Sequence, residues 1–74
     1  MEELLEILED IRPDIDFESE KQLMSGGLLN SLDILAIMDS VESGLGVRIP
    51  PKYMTAENFN SAEALWALVS KLSE

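Results

Sequence analysis

The chain contains no cysteine and no histidine among its 74 residues. Without cysteine there are no disulfides, thiolate metal sites or cysteine nucleophiles, and without histidine the usual general base and the commonest metal ligand are missing. Basic residues are also scarce, with 5 lysines and arginines against 15 aspartates and glutamates. The net charge of −10 disfavours nucleic acid and anionic membranes as partners and favours electropositive proteins.

Long apolar runs and a basic N-terminal region are absent too. The longest apolar run, from Ala64 to Val69, has six residues, and Met1-Glu2-Glu3 lacks the basic region of a signal peptide. These absences predict a cytoplasmic protein without membrane insertion. The length and the 46% of hydrophobic residues predict one domain over residues 1–74, expected to be monomeric, with a net stability of about 3–5 kcal/mol.

Apolar residues recur at helical spacing in three stretches and predict three principal helices. The first helix ends near residue 11 or 12, because Pro13 disfavours the helical conformation at Arg12. The last helix is capped by Ser61 or by Asn60. The three core stripes consist of Leu4, Leu5, Ile7, Leu8 and Ile11, then Ile34, Ile37, Met38, Val41 and Leu45, then Leu65, Leu68, Val69 and Leu72.

Shorter elements complete the predicted fold. A short helix is expected from Pro51 through Met54, since proline suits a first helical position. Gly44 and Gly46 are candidate left-handed C-caps of the second helix, Phe59 is the expected anchor of a turn-rich segment, and Trp66 is expected to be partly buried. No stretch alternates like a strand. The sequence therefore predicts an all-α bundle of three principal helices plus one short helix, with a long first loop.

The first loop, residues 13–30, is long for a structureless connection. Ser19 followed by Gln22 has the form of a capping box and predicts one helical turn over residues 20–24. The pair Gly26-Gly27 predicts a flexible approach to the second helix. Four apolar residues are expected to attach the loop to the core, namely Ile15, Phe17, Leu23 and Leu28.

The sequence lacks the motifs of two kinds of chemical site, a serine-hydrolase active site and a calcium-binding loop. Serine-hydrolase motifs are missing, and no histidine is present to activate a hydroxyl. Asp14, Asp16 and Glu18 have the opening spacing of a calcium loop, but Ser19 and Ser25 replace the glycine and glutamate that such a loop requires. No metal site is therefore predicted.

The start of the second helix holds the residues of most interest. Asn30 is the predicted N-cap, because Leu29 and Ile34 then form a hydrophobic staple and Asp33 completes a capping box. Ser31 falls at the first helical position, where its hydroxyl is not needed for capping and where a phosphate is tolerated. An ordinary N-terminal serine, or a serine that is itself the cap, is the alternative.

Leu32 is predicted to lie on the outside of the second helix. It lies roughly 160° around the helix from Ile34, almost opposite the core stripe, whereas Leu35 lies at the edge of that stripe. A large apolar side chain in such a position is either a scattered exposure or a docking contact.

Three stretches occur in a recognisable order: Gly26-Gly27-Leu28-Leu29-Asn30-Ser31-Leu32-Asp33, then, after an amphipathic helix, Gly46-Val47-Arg48-Ile49-Pro50, and finally Phe59-Asn60-Ser61. With the long first loop and the acidic charge, they make the chain resemble the acyl carrier protein family over nearly its whole length. The resemblance implies a discrete acyl or aminoacyl carrier, not an enzyme. It also implies 4′-phosphopantetheine on Ser31, attached by a phosphopantetheinyl transferase that uses coenzyme A.

The resemblance further implies that the helix starting at Ser31 is the surface recognised by loading and transferring enzymes with basic docking patches. We refer to the residues given this role as the docking set, which consists of Leu32, Asp33, Leu35, Asp39 and Glu42. The cargo would be held as a thioester and serve fatty-acid, polyketide or related biosynthesis. Transfer of D-alanine to cell-wall polymers is an alternative.

The chain departs from the family pattern at three positions. The family motif reads Asp-Ser-Leu, whereas Asn30 keeps the N-cap but lacks the carboxylate that metal-assisted transfer would use. Ala36 and Ser43 occupy positions where further carboxylates could lie, so the partners could differ from those of fatty-acid synthesis. Asn30 also leaves open a second class of function, an unmodified helical adaptor. A third class of function, that of a regulatory metal-binding bundle, would show stoichiometric calcium binding.

Overall fold

The computed structural model describes residues 1–73, which form helices and connections without any strand. The helices are α1 (Glu2–Ile11), α2 (Ser31–Leu45), α3 (Ala56–Phe59) and α4 (Ala62–Leu72), and a 3₁₀ turn spans Pro51–Tyr53. The predicted all-α class is confirmed. α1 packs against α2 and α4, and α3 packs against α4.

Helix α1 ends at Ile11, as predicted from the proline that follows. Arg12 leaves the helical conformation with φ −136° and ψ 83°, although its amide still donates to the Leu8 carbonyl at 2.9 Å. Leu4 and Leu8 are buried on the inner face of the helix. The acidic residues of α1 stay in solvent, so its amphipathic pattern determines which side faces the core.

Helix α2 buries the predicted stripe. Ile34, Ile37 and Val41 are buried, while the other two stripe residues, Met38 and Leu45, pack against the core and remain partly exposed. The helix ends where Gly46 adopts the left-handed conformation at φ 71° and its amide donates to the carbonyl of Glu42. Gly44, the other predicted C-cap, lies inside the helix instead.

The segment after α2 contains two short helical pieces rather than one. The 3₁₀ turn begins at Pro51 as predicted and ends at Tyr53, one residue before the predicted end. The predicted turn-rich segment contains α3, and its expected anchor Phe59 is buried. Helix α4 is capped by Ser61, whose hydroxyl accepts a 3.0 Å hydrogen bond from the Ala64 amide, so Asn60 is free for another role.

The first loop contributes to the core without forming a helix. Ile15, Phe17 and Leu23 are buried as predicted. The predicted helical turn over residues 20–24 is wrong. Among residues 1–73 the Ser19 hydroxyl donates to the Asp16 carboxylate at 2.8 Å but accepts no bond from the Gln22 amide, and the next turn joins the Gly26 amide to the Gln22 carbonyl. The hydrogen-bonded turn therefore lies two residues later in the chain than the pattern at Ser19 and Gln22 predicts.

Of the two leucines before the cap of α2, Leu29 is placed as predicted and Leu28 is not. Leu29 is buried, whereas Leu28, predicted to attach the loop to the core, is exposed. The physical reason is the hydrophobic staple at the start of α2: Leu29 precedes the cap and is buried together with Ile34, so its neighbour lies on the solvent side.

The remaining core residues come from the connection after α2 and from α4. Val47, Ile49, Ala62, Leu65, Leu68 and Val69 are buried, and Trp66 packs against them while partly exposed, as predicted. Within residues 1–73, no helix combines the length and apolar character needed to cross a membrane.

Candidate functional site

The most unusual surface of the molecule surrounds the start of α2. Among residues 1–73, the exposed large hydrophobic side chains are Leu28, Leu32 and Leu35, with exposed fractions of 37%, 76% and 51%. All three lie within four positions of Ser31 in the sequence. A single exposed leucine is ordinary, but all three of these lie near one helix end, which makes this surface the candidate site.

Ser31 lies at the first position of α2, as predicted, and is exposed. The cap is Asn30, whose side-chain oxygen accepts a 2.9 Å hydrogen bond from the Asp33 amide. The capping box is complete, because the Asp33 carboxylate accepts in return from the Asn30 amide at 3.2 Å. The Ser31 hydroxyl therefore has no capping duty, and no hydrogen bond joins it to another described residue.

Backbone amides beside that hydroxyl favour an anion. The amides of Asp33 and Ile34 donate to Asn30, but those of Ser31 and Leu32 donate to no other described residue. Unpaired amides and the positive end of the helix dipole together stabilise a negatively charged group at this end of α2. A phosphate bonded to the Ser31 oxygen would lie in that favourable field.

Asp33 differs from the other members of the docking set because its carboxylate is used inside the protein. One of its oxygens, Oδ2, accepts both the 3.2 Å bond from the Asn30 amide and a 2.7 Å bond from the Arg12 guanidinium. Its side chain is only 15% exposed. The structure thus gives Asp33 a part in shaping the start of α2.

Arg12 connects three separate parts of the chain at this site. Its guanidinium binds both carboxylate oxygens of Asp14 at 2.9 and 3.0 Å, the carbonyl of Leu28 at 3.0 Å, and Asp33 on α2 at 2.7 Å. The hydrogen bonds that Arg12 donates to Asp14 and to Asp33, in that order of effect, raise the pKa of Arg12 above its ordinary value. In return, the hydrogen bond from Arg12 lowers the pKa of Asp14.

The turn that leads into the site is closed by hydrogen bonds and is not the flexible approach predicted from Gly26-Gly27. The Gly26 amide donates to the Gln22 carbonyl at 2.7 Å, and a Cβ at Gly26 would lie 2.5 Å from that same oxygen. Gly27 has φ 79°, a conformation that side-chain-bearing residues rarely adopt. The two glycines therefore permit a tight turn, and this explains their presence better than flexibility does.

Asn60 holds the same turn from the other side. Its side-chain oxygen accepts from the amides of Met24 and Ser25 at 3.0 and 2.9 Å, and its carbonyl accepts from Leu23 at 2.9 Å. The Leu29 amide then donates to the Leu23 carbonyl at 2.9 Å, which closes the segment. The junction between α3 and α4 thereby fixes the loop immediately before the site.

The remaining acidic members of the docking set lie further along α2. Asp39 and Glu42 are both exposed and can meet a partner. The structure therefore places the set along one helix, with exposed leucines near its start and exposed carboxylates nearer its end.

Sequence reasoning missed Arg12 and Asn60, although the scarcity of basic residues was a clue to the importance of Arg12.

Two open grooves lie away from Ser31. One, of about 520 Å³, lies between the 3₁₀ turn, α3 and α4, and Lys52 and Lys71 are among its lining residues. The other, of about 470 Å³, is lined in part by Leu45, Val47 and Trp66. Ser31 lines neither groove, and among residues 1–73 no group of three or more acidic side chains is placed to hold a metal ion.

Comparison with known proteins gives no match, either to a protein-family model or to a curated protein. A functional assignment therefore depends on the geometry at the start of α2 and on the chemistry of its residues.

Proposed function

We propose that the protein is a discrete carrier that holds an acyl or aminoacyl group as a thioester on a 4′-phosphopantetheine arm attached to Ser31. The observation that supports this most directly is the free, exposed Ser31 hydroxyl at the first position of α2, surrounded in sequence by the exposed leucines. The carrier itself catalyses nothing. Its cargo would serve fatty-acid, polyketide or related biosynthesis, or D-alanyl transfer to cell-wall polymers.

The residues present fit a phosphodiester at Ser31. The hydroxyl has no competing hydrogen bond, and the free amides of Ser31 and Leu32 favour a negatively charged group. The prosthetic group, when bound, supplies the thiol that a chain without cysteine lacks. In attachment, the Ser31 oxygen bonds to the phosphorus of the phosphopantetheine half of coenzyme A, the nucleotide half leaves, and a base of the transferase accepts the serine proton.

Charge favours basic partners for this surface. Most of the 15 acidic residues precede residue 46, whereas only Arg12 and Lys21 of the 5 basic residues do so. Both of these cations are paired, Arg12 with Asp14 and Asp33, and Lys21 with Glu63 at 2.6 Å. A phosphopantetheinyl transferase or loading enzyme with a basic patch is therefore attracted to the half of the sequence that contains α2.

Incubation with coenzyme A and a broad-specificity phosphopantetheinyl transferase tests the proposal. We expect intact-protein mass spectrometry to show the addition of one phosphopantetheine per chain, and peptide fragmentation to place it on Ser31. Failure to load under conditions that fully modify a control carrier would favour the unmodified helical adaptor.

Leu32→Arg tests the docking role of the exposed surface. Because Leu32 is 76% exposed, we expect the free energy of unfolding to change by no more than about 0.5 kcal/mol. The rate of loading at limiting transferase should nevertheless fall about tenfold or more, since a basic partner meets a new positive charge and loses an apolar contact.

The matched control for this prediction is Ala67→Arg, at an exposed position on α4 away from Ser31 in the sequence. It adds the same side chain and the same charge to the protein. Equal slowing by both variants would attribute the effect to net charge, and unfolding by Leu32→Arg would contradict the exposed placement of that residue.

A further inference from the structure

We infer that Arg12 is the positioning residue of the proposed attachment site: it fixes the loop before Ser31 and the cap of α2 relative to each other. The kinetic test of this inference rests on the proposed function, because it measures loading of Ser31 by the transferase. The hydrogen bonds of Arg12 do not depend on that function. Arg12 lies outside the docking set and outside the motif that resembles the acyl carrier family. Its role follows from what its side chain binds.

The arrangement of partners around Arg12 makes it more than a surface ion pair. Leu28 lies three residues before Ser31, and Asp33 lies two residues after it, and the same guanidinium nitrogen, Nη1, donates to both, at 3.0 and 2.7 Å. Ser31 is thus held between two points that share one donor atom. The bond to Asp33 is partly buried, because the two side chains are 29% and 15% exposed, so solvent screens it less than it screens an exposed ion pair.

Asp33 Oδ2 connects the guanidinium to the capping box. This single oxygen accepts from Arg12 and from the Asn30 amide, so the position of the carboxylate determines where the cap lies. Without Arg12, the carboxylate can rotate toward solvent and the Leu28 carbonyl loses a bond. The Ser31 hydroxyl would then occupy a wider range of positions, which slows a transfer that requires alignment with the phosphorus of coenzyme A.

Asp14, the third binding partner of Arg12, orients the guanidinium. Asp14 binds Nε and Nη2 through both carboxylate oxygens, which leaves Nη1 directed at Leu28 and Asp33. A lysine cannot reproduce this arrangement, because its ammonium is a point charge without a planar set of donors. The geometry therefore distinguishes arginine from a generic cation.

Steady-state loading kinetics test the inference with Arg12→Ala, Arg12→Lys and Asp14→Asn. With Arg12→Ala as its substrate, the transferase should show a kcat about tenfold lower and a much smaller change in KM. The Ser31 hydroxyl loses its alignment, whereas Leu32 and the exposed acidic residues of α2 remain for docking. Arg12→Lys should restore part of kcat, since its ammonium can still reach Asp33. Asp14→Asn should have an intermediate effect, because it removes only the orienting carboxylate charge.

Lys21→Ala is the matched control. It removes a cation that, like Arg12, joins the first loop to a distant helix, in this case through Glu63 at 2.6 Å, but it has no contact with α2 among the hydrogen bonds of residues 1–73. We expect the kcat of the transferase on this variant to remain within about twofold of its kcat on wild type. All reactions are measured well below the midpoint of thermal unfolding of each variant, so that the comparison involves folded protein.

An NMR measurement separates this inference from the proposed function. In the unmodified protein, Arg12→Ala should shift the amide resonances of Asn30 and Ser31 and accelerate hydrogen exchange at Asn30, whereas Lys21→Ala should not. If wild type fails to load, the proposed function fails and the NMR result alone decides the positioning role. Unchanged Asn30 and Ser31 amides, or an unchanged kcat in Arg12→Ala, would overturn the inference.

Discussion

Replacement of Ser31 with alanine should abolish the gain of one phosphopantetheine that we expect for the wild-type chain. The loss is complete rather than partial, because alanine has no oxygen to form the phosphodiester. The fold should be retained: Asn30 rather than Ser31 caps α2, the serine hydroxyl bonds to no other described residue, and alanine is a better helix former. Intact-mass spectrometry after exhaustive incubation gives the result directly.

The control for Ser31→Ala is Ser70→Ala, which alters another exposed helical serine, on α4. That variant should load to the same extent as wild type. Circular dichroism of both variants should show the same helix content, since neither change removes a cap. Persistence of the added mass in Ser31→Ala would place the modified hydroxyl elsewhere, and loss of loading in both variants would indicate an effect on folding or docking.

The start of α2 could be predicted from sequence because its determinants are close together in the chain. Asn30 and Asp33 are three residues apart and exchange both capping bonds, and the buried pair Leu29 and Ile34 flanks them. Helical periodicity similarly placed Leu32 on the outside, where it is 76% exposed. Interactions within one helical turn are therefore enough to predict where α2 begins and which residue caps it.

The first loop could not be predicted in the same way, since its conformation depends on distant partners. Asn60 binds the amides of Met24 and Ser25 from more than thirty positions away in the chain. Arg12 reaches Asp33 across a separation of 21 residues. Neither contact leaves a periodic trace in the sequence, and the local pattern at Ser19 and Gln22 indicated a helical turn that is not formed.

These distant contacts also change the meaning of residues that the sequence did highlight. The pair Gly26-Gly27 suggested flexibility, but the bond from the Gly26 amide to Gln22 and the left-handed Gly27 form a closed turn. Asp33 completes the predicted capping box, but its carboxylate also binds Arg12, which the docking role implied by the resemblance did not include. The start of α2 is therefore a preorganised helix end, which would favour the transfer to Ser31 that we propose.

Ile37→Ala should unfold a large fraction of the protein. Ile37 is fully buried in the middle of α2, and removal of a buried isoleucine side chain to Cβ costs about 2–5 kcal/mol through lost burial and the cavity left behind. A domain of this length has a net stability of only about 3–5 kcal/mol. The cost of the substitution therefore approaches the entire free energy of unfolding. Urea unfolding followed by circular dichroism measures the change in midpoint.

Two further variants keep this prediction testable if Ile37→Ala has no folded baseline. Ile37→Val removes one methylene from the same site and should cost about 0.5–1.5 kcal/mol, which leaves a measurable transition. Leu32→Ala removes a side chain of similar size from the exposed face of the same helix and should cost no more than about 0.5 kcal/mol. Equal effects of Ile37→Ala and Leu32→Ala would contradict the orientation of α2, and with it the outward placement of the surface next to Ser31.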